Sequence, residues 1–325
     1  MSKKFTWNEN WKFTKDAVTV SDKTTSAGNW ETLDLPHTWN GEDGQDGGSD
    51  YYRGTCYYAK NLSKAEVAEG KEVYIEFEAA NSSAELFVNG ESVAKHDGGY
   101  STWRANITPY LKDENEIVVA VDNAPNDYVY PQNADFTFYG GLYRKVSLIL
   151  VDETRFDLDY YGSPAIKVTP EVTGDDAKIT TEVYLTNAGS TEELVFTITD
   201  GDTVVDTVTV SADKTEVEQT ITNVHLWNGR KDPHLYTMHA ELKKNGTVVD
   251  ERSTRFGCRT FKVDPEKGFF LNGEHYPLRG VSRHQDRPHI GNALTPEMHE
   301  EDAKIIYFTN GIEQRMNGVC AGGTG

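Results

Sequence analysis

Short runs in which apolar and polar side chains alternate, punctuated by Asn-Gly, constrain this chain more than any other feature. Val73-Tyr-Ile-Glu-Phe-Glu78 has the period of two that turns one face of a strand toward a core. In Leu86-Phe-Val-Asn-Gly-Glu-Ser-Val93 the pair Asn89-Gly90 separates two apolar runs. Asn-Gly tolerates the positive φ angles of a type I′ turn, so the segment predicts a tight hairpin. Asn245-Gly246 and Asn272-Gly273 repeat the signal. Ile117-Val-Val-Ala-Val121 and Val146-Ser-Leu-Ile-Leu-Val151 predict further buried strands. Residues 122–145 between them are rich in Asn, Asp, Pro and Tyr and predict a long loop, where binding residues tend to lie. The Asn115-Glu116 pair beside the first of these strands predicts a turn.

Composition divides the chain. From about residue 153 to 260 aromatic residues thin out and Thr and Val dominate, as in Ile179-Thr-Thr-Glu-Val-Tyr-Leu185 and Val204-Val-Asp-Thr-Val-Thr-Val210. Strands separated by turns such as Asp200-Gly201 predict a small β-sandwich with no catalytic constellation. After Phe269-Phe-Leu-Asn-Gly-Glu-His-Tyr-Pro-Leu278 comes the one helix the pattern supports. Thr295 suits the N-cap and Pro296 the first turn, with Glu297, Glu300, Glu301 and Asp302 near the positive end of the helix dipole. Met298, Ile305 and Ile306 supply an apolar stripe. Strand, polar loop and helix in that order predict the opening βα unit of an α/β domain.

Charge narrows the partners. The 325 residues carry a formal charge of −20, which argues against nucleic acid, whose phosphates need a basic footprint, and against anionic membrane surfaces. The sequence has no apolar run long enough to span a bilayer, and its first residues lack the apolar core of a signal peptide. Cys56, Cys258 and Cys320 are scattered without metal-binding or redox spacing. These features predict a multidomain cytoplasmic protein. A zinc site from His284, Asp286 and His289 lacks a fourth ligand and a familiar spacing, so no metal site is expected.

A series of motifs, in order, resembles the N-terminal portion of glycoside hydrolase family 2, of the β-galactosidase and β-glucuronidase type. Leu35-Pro-His-Thr-Trp39, Asp50-Tyr-Tyr-Arg-Gly-Thr-Cys-Tyr-Tyr58, Phe87-Val-Asn-Gly90, His96-Asp-Gly-Gly-Tyr100 and Asn106-Ile-Thr-Pro-Tyr-Leu111 resemble its sugar-binding jelly roll. Asp135-Phe-Thr-Phe-Tyr-Gly-Gly-Leu-Tyr-Arg144 resembles that domain's closing signature. Trp227 with Pro233-His-Leu-Tyr236, and Phe256-Gly-Cys-Arg259, resemble its immunoglobulin-like domain. Phe270-Leu-Asn-Gly273 and Arg279-Gly-Val-Ser-Arg-His284 resemble the opening of its TIM barrel.

The resemblance implies a mainly β chain in three parts: a jelly-roll sugar-binding domain over 1–152, an immunoglobulin-like β-sandwich over 153–263, and the first one or two βα units of a truncated TIM barrel over 264–325. It implies a carbohydrate partner of the β-galactoside or β-glucuronide type, a homo-oligomer, and no cofactor beyond a monovalent or divalent cation in the full-length family. Three substrate-binding residues follow from it. Asp135 stands where the family places a carboxylate reaching the sugar pocket, His284 where it places a histidine near the reactive sugar, and Asp286 shares that loop. Arg279 and Arg144 are expected to form structural pairs with carboxylates, and Trp103 to pack in a core.

No catalytic residue is transferred. The family's two barrel glutamates lie on later strands, and only about 60 residues run from Asp264 to Gly325, against the roughly 200–250 a barrel needs. Asn8-Glu9 and Asn115-Glu116 fall in the first domain. The Gly-rich, aperiodic text from about residue 308 departs from the family and suggests a frameshift or premature stop, which the other reading frames of the DNA would reveal. The expectation is a fragment of a β-galactosidase-like enzyme, inactive alone. The alternative is a non-catalytic carbohydrate-binding or oligomer-forming module.

Overall fold

The computed structural model describes residues 2–67, 72–131, 134, 136–278, 280 and 282–309. These residues are mainly β, and their contacts group them into two compact units. One unit comprises residues 2–151 together with 283–301, and the other comprises 152–282 with the described residues from 302 onward.

The first unit is built from two antiparallel sheets. One has the order β1 (Lys3–Thr6), β10 (Val146–Val151), β5 (Glu72–Phe77) and β8 (Trp103–Asn106). The other has the order β3 (Glu31–Leu33), β2 (Trp11–Thr14), β4 (Thr55–Ser63), β9 (Glu114–Asp122), β6 (Ser83–Val88) and β7 (Glu91–Asp97). Phe77, Ile75 and Leu148 from the first sheet and Tyr58, Leu86 and Val119 from the second share one buried core. At Asn89-Gly90 both residues have positive φ, 53° and 85°, as the β6–β7 hairpin requires.

Two local expectations are corrected here. Alternation in β5 predicts a polar outward face, but Tyr74 and Glu76 are buried alongside Val73 and Ile75. Glu76 lies between Lys4 Nζ at 2.5 Å and Arg104 Nε at 2.7 Å. Burial opposes its charge, yet these two donors hold its carboxyl below the usual glutamate value. Asn115-Glu116 is not a turn but lies within β9, and both residues are buried. The Glu116 carboxylate accepts from the backbone N–H groups of Thr24 and Thr25, at 2.5 and 3.0 Å, so its role is to anchor a short 3₁₀ turn.

The second unit has an antiparallel sheet of β12 (Ile166–Thr173), β13 (Asp176–Val183) and β17 (Glu216–Ile221). A second is ordered β16 (Thr203–Ser211), β15 (Glu192–Asp200), β18 (Tyr236–Lys244) and β19 (Thr247–Phe256). Ile179 and Val183 of the first sheet and Phe196, Met238 and Leu242 of the second meet in its core, with Phe156. A short two-stranded pair, β11 (Arg155–Phe156) and β14 (Leu185–Thr186), accompanies them. Positive φ at Asn245 and Gly246, 52° and 75°, forms the β18–β19 turn.

A further antiparallel sheet, β20 (Phe261–Asp264), β21 (Gly268–Leu271) and β22 (Glu274–His275), contains the Asn272-Gly273 turn. The helix α1 (Pro296–Thr309) follows after a loop. Its first turn differs in detail from a simple N-cap. The Thr295 carbonyl accepts from Met298 and His299, while the Thr295 hydroxyl bonds to the Glu297 carboxylate and holds its pKa down. Strand, loop and helix occur in the expected order, and no parallel strand pair is present among the described residues. No helix among them is long and apolar enough to cross a membrane.

Candidate functional site

The loop between β9 and β10 carries the closing signature, and buried amides fix its path. Asn40 and Asn123 are fully buried, and Asn123 Nδ2 donates to Asn40 Oδ1 at 3.0 Å and to the Phe138 carbonyl at 3.0 Å. Asn40 Oδ1 also accepts from Gly140 N–H at 2.9 Å, and Thr38 Oγ1 donates to the Gly140 carbonyl at 2.7 Å. Asn81 and Gly141 exchange two backbone hydrogen bonds of 3.1 and 3.2 Å, and Asn81 Nδ2 donates to the Tyr139 carbonyl at 2.6 Å. Each bond satisfies a buried polar group that would otherwise cost about 1–3 kcal/mol. Together they hold residues 138–142 in one conformation.

On this frame sits a cavity of about 310 Å³, within the range of small-ligand pockets, lined by Tyr100, Phe136, Tyr139 and Tyr143 together with His284 and Asp286. Tyr139 is its hinge pin. Its hydroxyl accepts from Gln45 Nε2 at 2.6 Å and donates to Asp286 Oδ2 at 2.9 Å. Burial, reinforced by the Asp286 carboxylate, pushes the phenol up to about 12, so it stays protonated and keeps donating at neutral pH. Tyr143 donates to the Gly99 carbonyl, and burial raises its pKa further still.

The segment carrying His284 and Asp286 is tied down by its own bonds. Arg287 N–H donates to the Gly291 carbonyl at 3.0 Å and its guanidinium reaches Glu301 at 2.9 Å. His289 Nδ1 lies 2.8 Å from Glu42. Arg283 is 3.2 Å from His299 Nδ1. Asn292 also lines the cavity, and its buried Oδ1 has no hydrogen-bond partner among the described residues, so it can accept from a ligand hydroxyl.

The structure thus brings His284 and Asp286 together in one cavity, although Asp286 lies 147 residues beyond the Tyr139 that orients it. Asp135 and Arg279 lie outside the described residues, as do Cys320 and the rest of the Gly-rich tail from residue 310. Arg144 is placed differently from the expected carboxylate pair: its Nη1 donates to the Tyr100 carbonyl at 3.2 Å and its guanidinium covers the Tyr143 ring at 5.4 Å. Trp103 is 6% exposed and stacks on Phe77 with centroids 4.3 Å apart. Sequence reasoning singles out none of Tyr139, Gln45 and Asn292: Tyr139 lies inside the closing signature without a role of its own there, and Gln45 and Asn292 lie in polar, glycine-containing loops. No group of three His, Cys, Asp or Glu side chains that could hold a metal occurs among the described residues.

Fold and cavity define a multidomain β-sandwich protein with an aromatic, hydroxyl-rich pocket built from loops. Residues 45–152 match the family model described as glycosyl hydrolases family 2, sugar binding domain, and residues 164–259 match that of glycosyl hydrolases family 2. A β-glucuronidase of Bacteroides fragilis is 37% identical over 311 residues, covering 92% of this chain and 44% of that protein. A β-galactosidase of Thermoanaerobacter pseudethanolicus is 29% identical, covering 87% of this chain and 39% of its own length. Among solved structures, an FMN-binding β-glucuronidase from Facaelibacterium prausnitzii L2-6 is 40% identical with a TM-score of 0.85, covering 94% of this chain and 47% of that one. The chain belongs to glycosyl hydrolases family 2. It spans less than half the length of these relatives.

Proposed function

We propose that this chain carries the sugar-facing, non-catalytic portion of a retaining β-glycosidase of the β-glucuronidase and β-galactosidase type. In this reading residues 1–152 are a jelly-roll sugar-binding domain, 153–263 an immunoglobulin-like sandwich and 264–325 the opening of a TIM barrel. The observation that carries it is the cavity in which Tyr139 orients Asp286 beside His284. Asp286 accepts from sugar hydroxyls, and the His284 imidazole donates to one through a single ring nitrogen. Tyr100 and Phe136 provide flat apolar faces for the C–H side of a pyranose.

Retaining hydrolysis needs two carboxyl groups about 5–5.5 Å apart, one as nucleophile and one as acid/base. Asp286 is the single carboxylate among the described lining residues, one of its oxygens accepting from Tyr139, so the described lining lacks the second carboxyl group of such a pair. The pocket therefore orients a sugar without cleaving it. The purified chain should release no nitrophenol from aryl β-glucuronides or β-galactosides. Saturation-transfer NMR with glucuronate and galactose should detect weak binding to the same protein, lost in His284→Ala. Turnover by the chain alone, or no saturation transfer to either sugar, overturns the reading.

A further inference from the structure

The second unit has a cavity of its own, and the family reading makes no use of it. It has a volume of about 520 Å³ and lies where the 157–163 loop crosses the ends of β13 and β17, lined by Asp159, Tyr160, Glu182, Tyr184, Thr215 and Glu216. Its wall is aromatic. Tyr160 and Tyr184 line it and stack at 3.8 Å with an interplanar angle of 15°, and beside the cavity Tyr161 meets Tyr160 edge-on at 5.1 Å. Tyr160 remains 40% exposed and Tyr161 89% exposed, so ring surface is presented to solvent where a core would hide it.

The loop is built to hold these rings. Asp157 Oδ1 accepts from the N–H groups of Asp159 and Tyr160, both at 2.8 Å, and its Oδ2 accepts from Thr186 Oγ1 at 2.9 Å. Tyr161 is kept at φ 51°, a conformation bulky residues rarely adopt, and its ring stands in solvent.

The polar equipment selects the ligand class. Glu182 and Glu216 line the cavity with carboxylates, and Glu182 Oε1 accepts from the Lys167 ammonium at 2.6 Å. Carboxylates and phenols beside flat rings suit a molecule with many hydroxyl donors and an apolar C–H face. Asp157, Asp159, Glu182 and Glu216 line the cavity against the Lys167 ammonium paired with Glu182, and this excess of negative charge disfavours anions. We propose that the Tyr160–Tyr161–Tyr184 surface of the second unit is a binding site for neutral polysaccharide.

Native affinity electrophoresis of the full chain, in gels cast with galactomannan, xyloglucan or arabinoxylan, tests this. Migration should be retarded in at least one neutral polysaccharide and unaltered in polygalacturonate. Tyr161→Gly removes the exposed ring at a position whose φ favours glycine, so the fold survives, and it should weaken the retardation about tenfold. Retardation in none of the three neutral gels overturns the proposal. Equal retardation of Tyr161→Gly does so too, because the binding would then lie elsewhere. Retardation in polygalacturonate as strong as in the neutral gels also overturns it, since an acidic lining would not select a polyanion.

Discussion

A Cβ placed on Gly140 in the first unit would overlap the Trp39 indole, and one on Gly141 would stand 2.5 Å from the His37 carbonyl oxygen and 2.7 Å from the Tyr58 hydroxyl. In the second unit a Cβ on Gly174, Gly201 or Gly246 would meet nothing within 4 Å. Gly140 and Gly141 let backbone pass against Trp39, Tyr58 and the His37 carbonyl beside the candidate site, whereas these three in the second unit only turn a hairpin. The same division appears in the polar groups. Around residues 138–142 the first unit spends Asn40, Asn81 and Asn123 on fixing a loop, while the second connects β15 to β16 and β18 to β19 by tight turns. Loops that must hold a chemical geometry need a scaffold beyond their own residues.

The largest test of this contrast is Gly141→Ala. Its φ of 128° and the two close approaches should cost the first unit about 4 kcal/mol, read as a lowered urea midpoint of tryptophan fluorescence, since Trp7, Trp11, Trp30, Trp39 and Trp103 all lie there. A loss below about 1 kcal/mol would erase the distinction drawn between the two sets of glycines.

Next in size is a pH effect at His37, whose Nδ1 lies 2.8 Å from the Tyr58 hydroxyl. Burial, helped by the charge of Lys15, lowers this histidine to about 4 from 6.5. The unfolded chain then binds the extra proton between those values and the folded chain does not. Stability is complete above about pH 6.5 and falls by about 3 kcal/mol as the pH drops to 4. His37→Gln should flatten that slope in thermal melts, and an unchanged slope would shift the origin to other groups.

Tyr139→Phe sharpens the comparison at the site itself. Gln45 and Asp286 lose their shared partner, for about 1.5 kcal/mol of stability and a weakened NMR saturation transfer from bound sugar. Smallest is Gly246→Ala, where only the positive φ of 75° is at stake. About 1 kcal/mol should be lost from the second unit, followed through Trp227, the one tryptophan it holds.

The hairpins are legible because Asn-Gly encodes its backbone locally: all three pairs adopt positive φ at both residues. Glu76 is misread from sequence because its burial depends on Lys4 and Arg104, 72 and 28 residues away. Glu116 is misread likewise, since the amides it caps lie 92 and 91 residues off. His284 and Asp286 are singled out by the resemblance of the segment around them, and both line one cavity. Tyr139 lies within the closing signature, yet its role does not follow from it, because that role rests on Gln45 and Asp286, at separations of 94 and 147 residues. Alternation and turn chemistry report a strand's immediate neighbourhood, and a pocket assembled across the chain leaves no such local trace.

The first unit is discontinuous in sequence, since residues 283–301 belong with 2–151 while some 130 residues intervene. On the ribosome this becomes an interval of time. At about 5–20 residues per second, roughly 7–30 s separate emergence of Tyr139 from that of Asp286. For that interval the nascent sandwich carries Tyr139 with Gln45 but without its carboxylate partner, so the pocket is finished by the last of its own pieces to be translated.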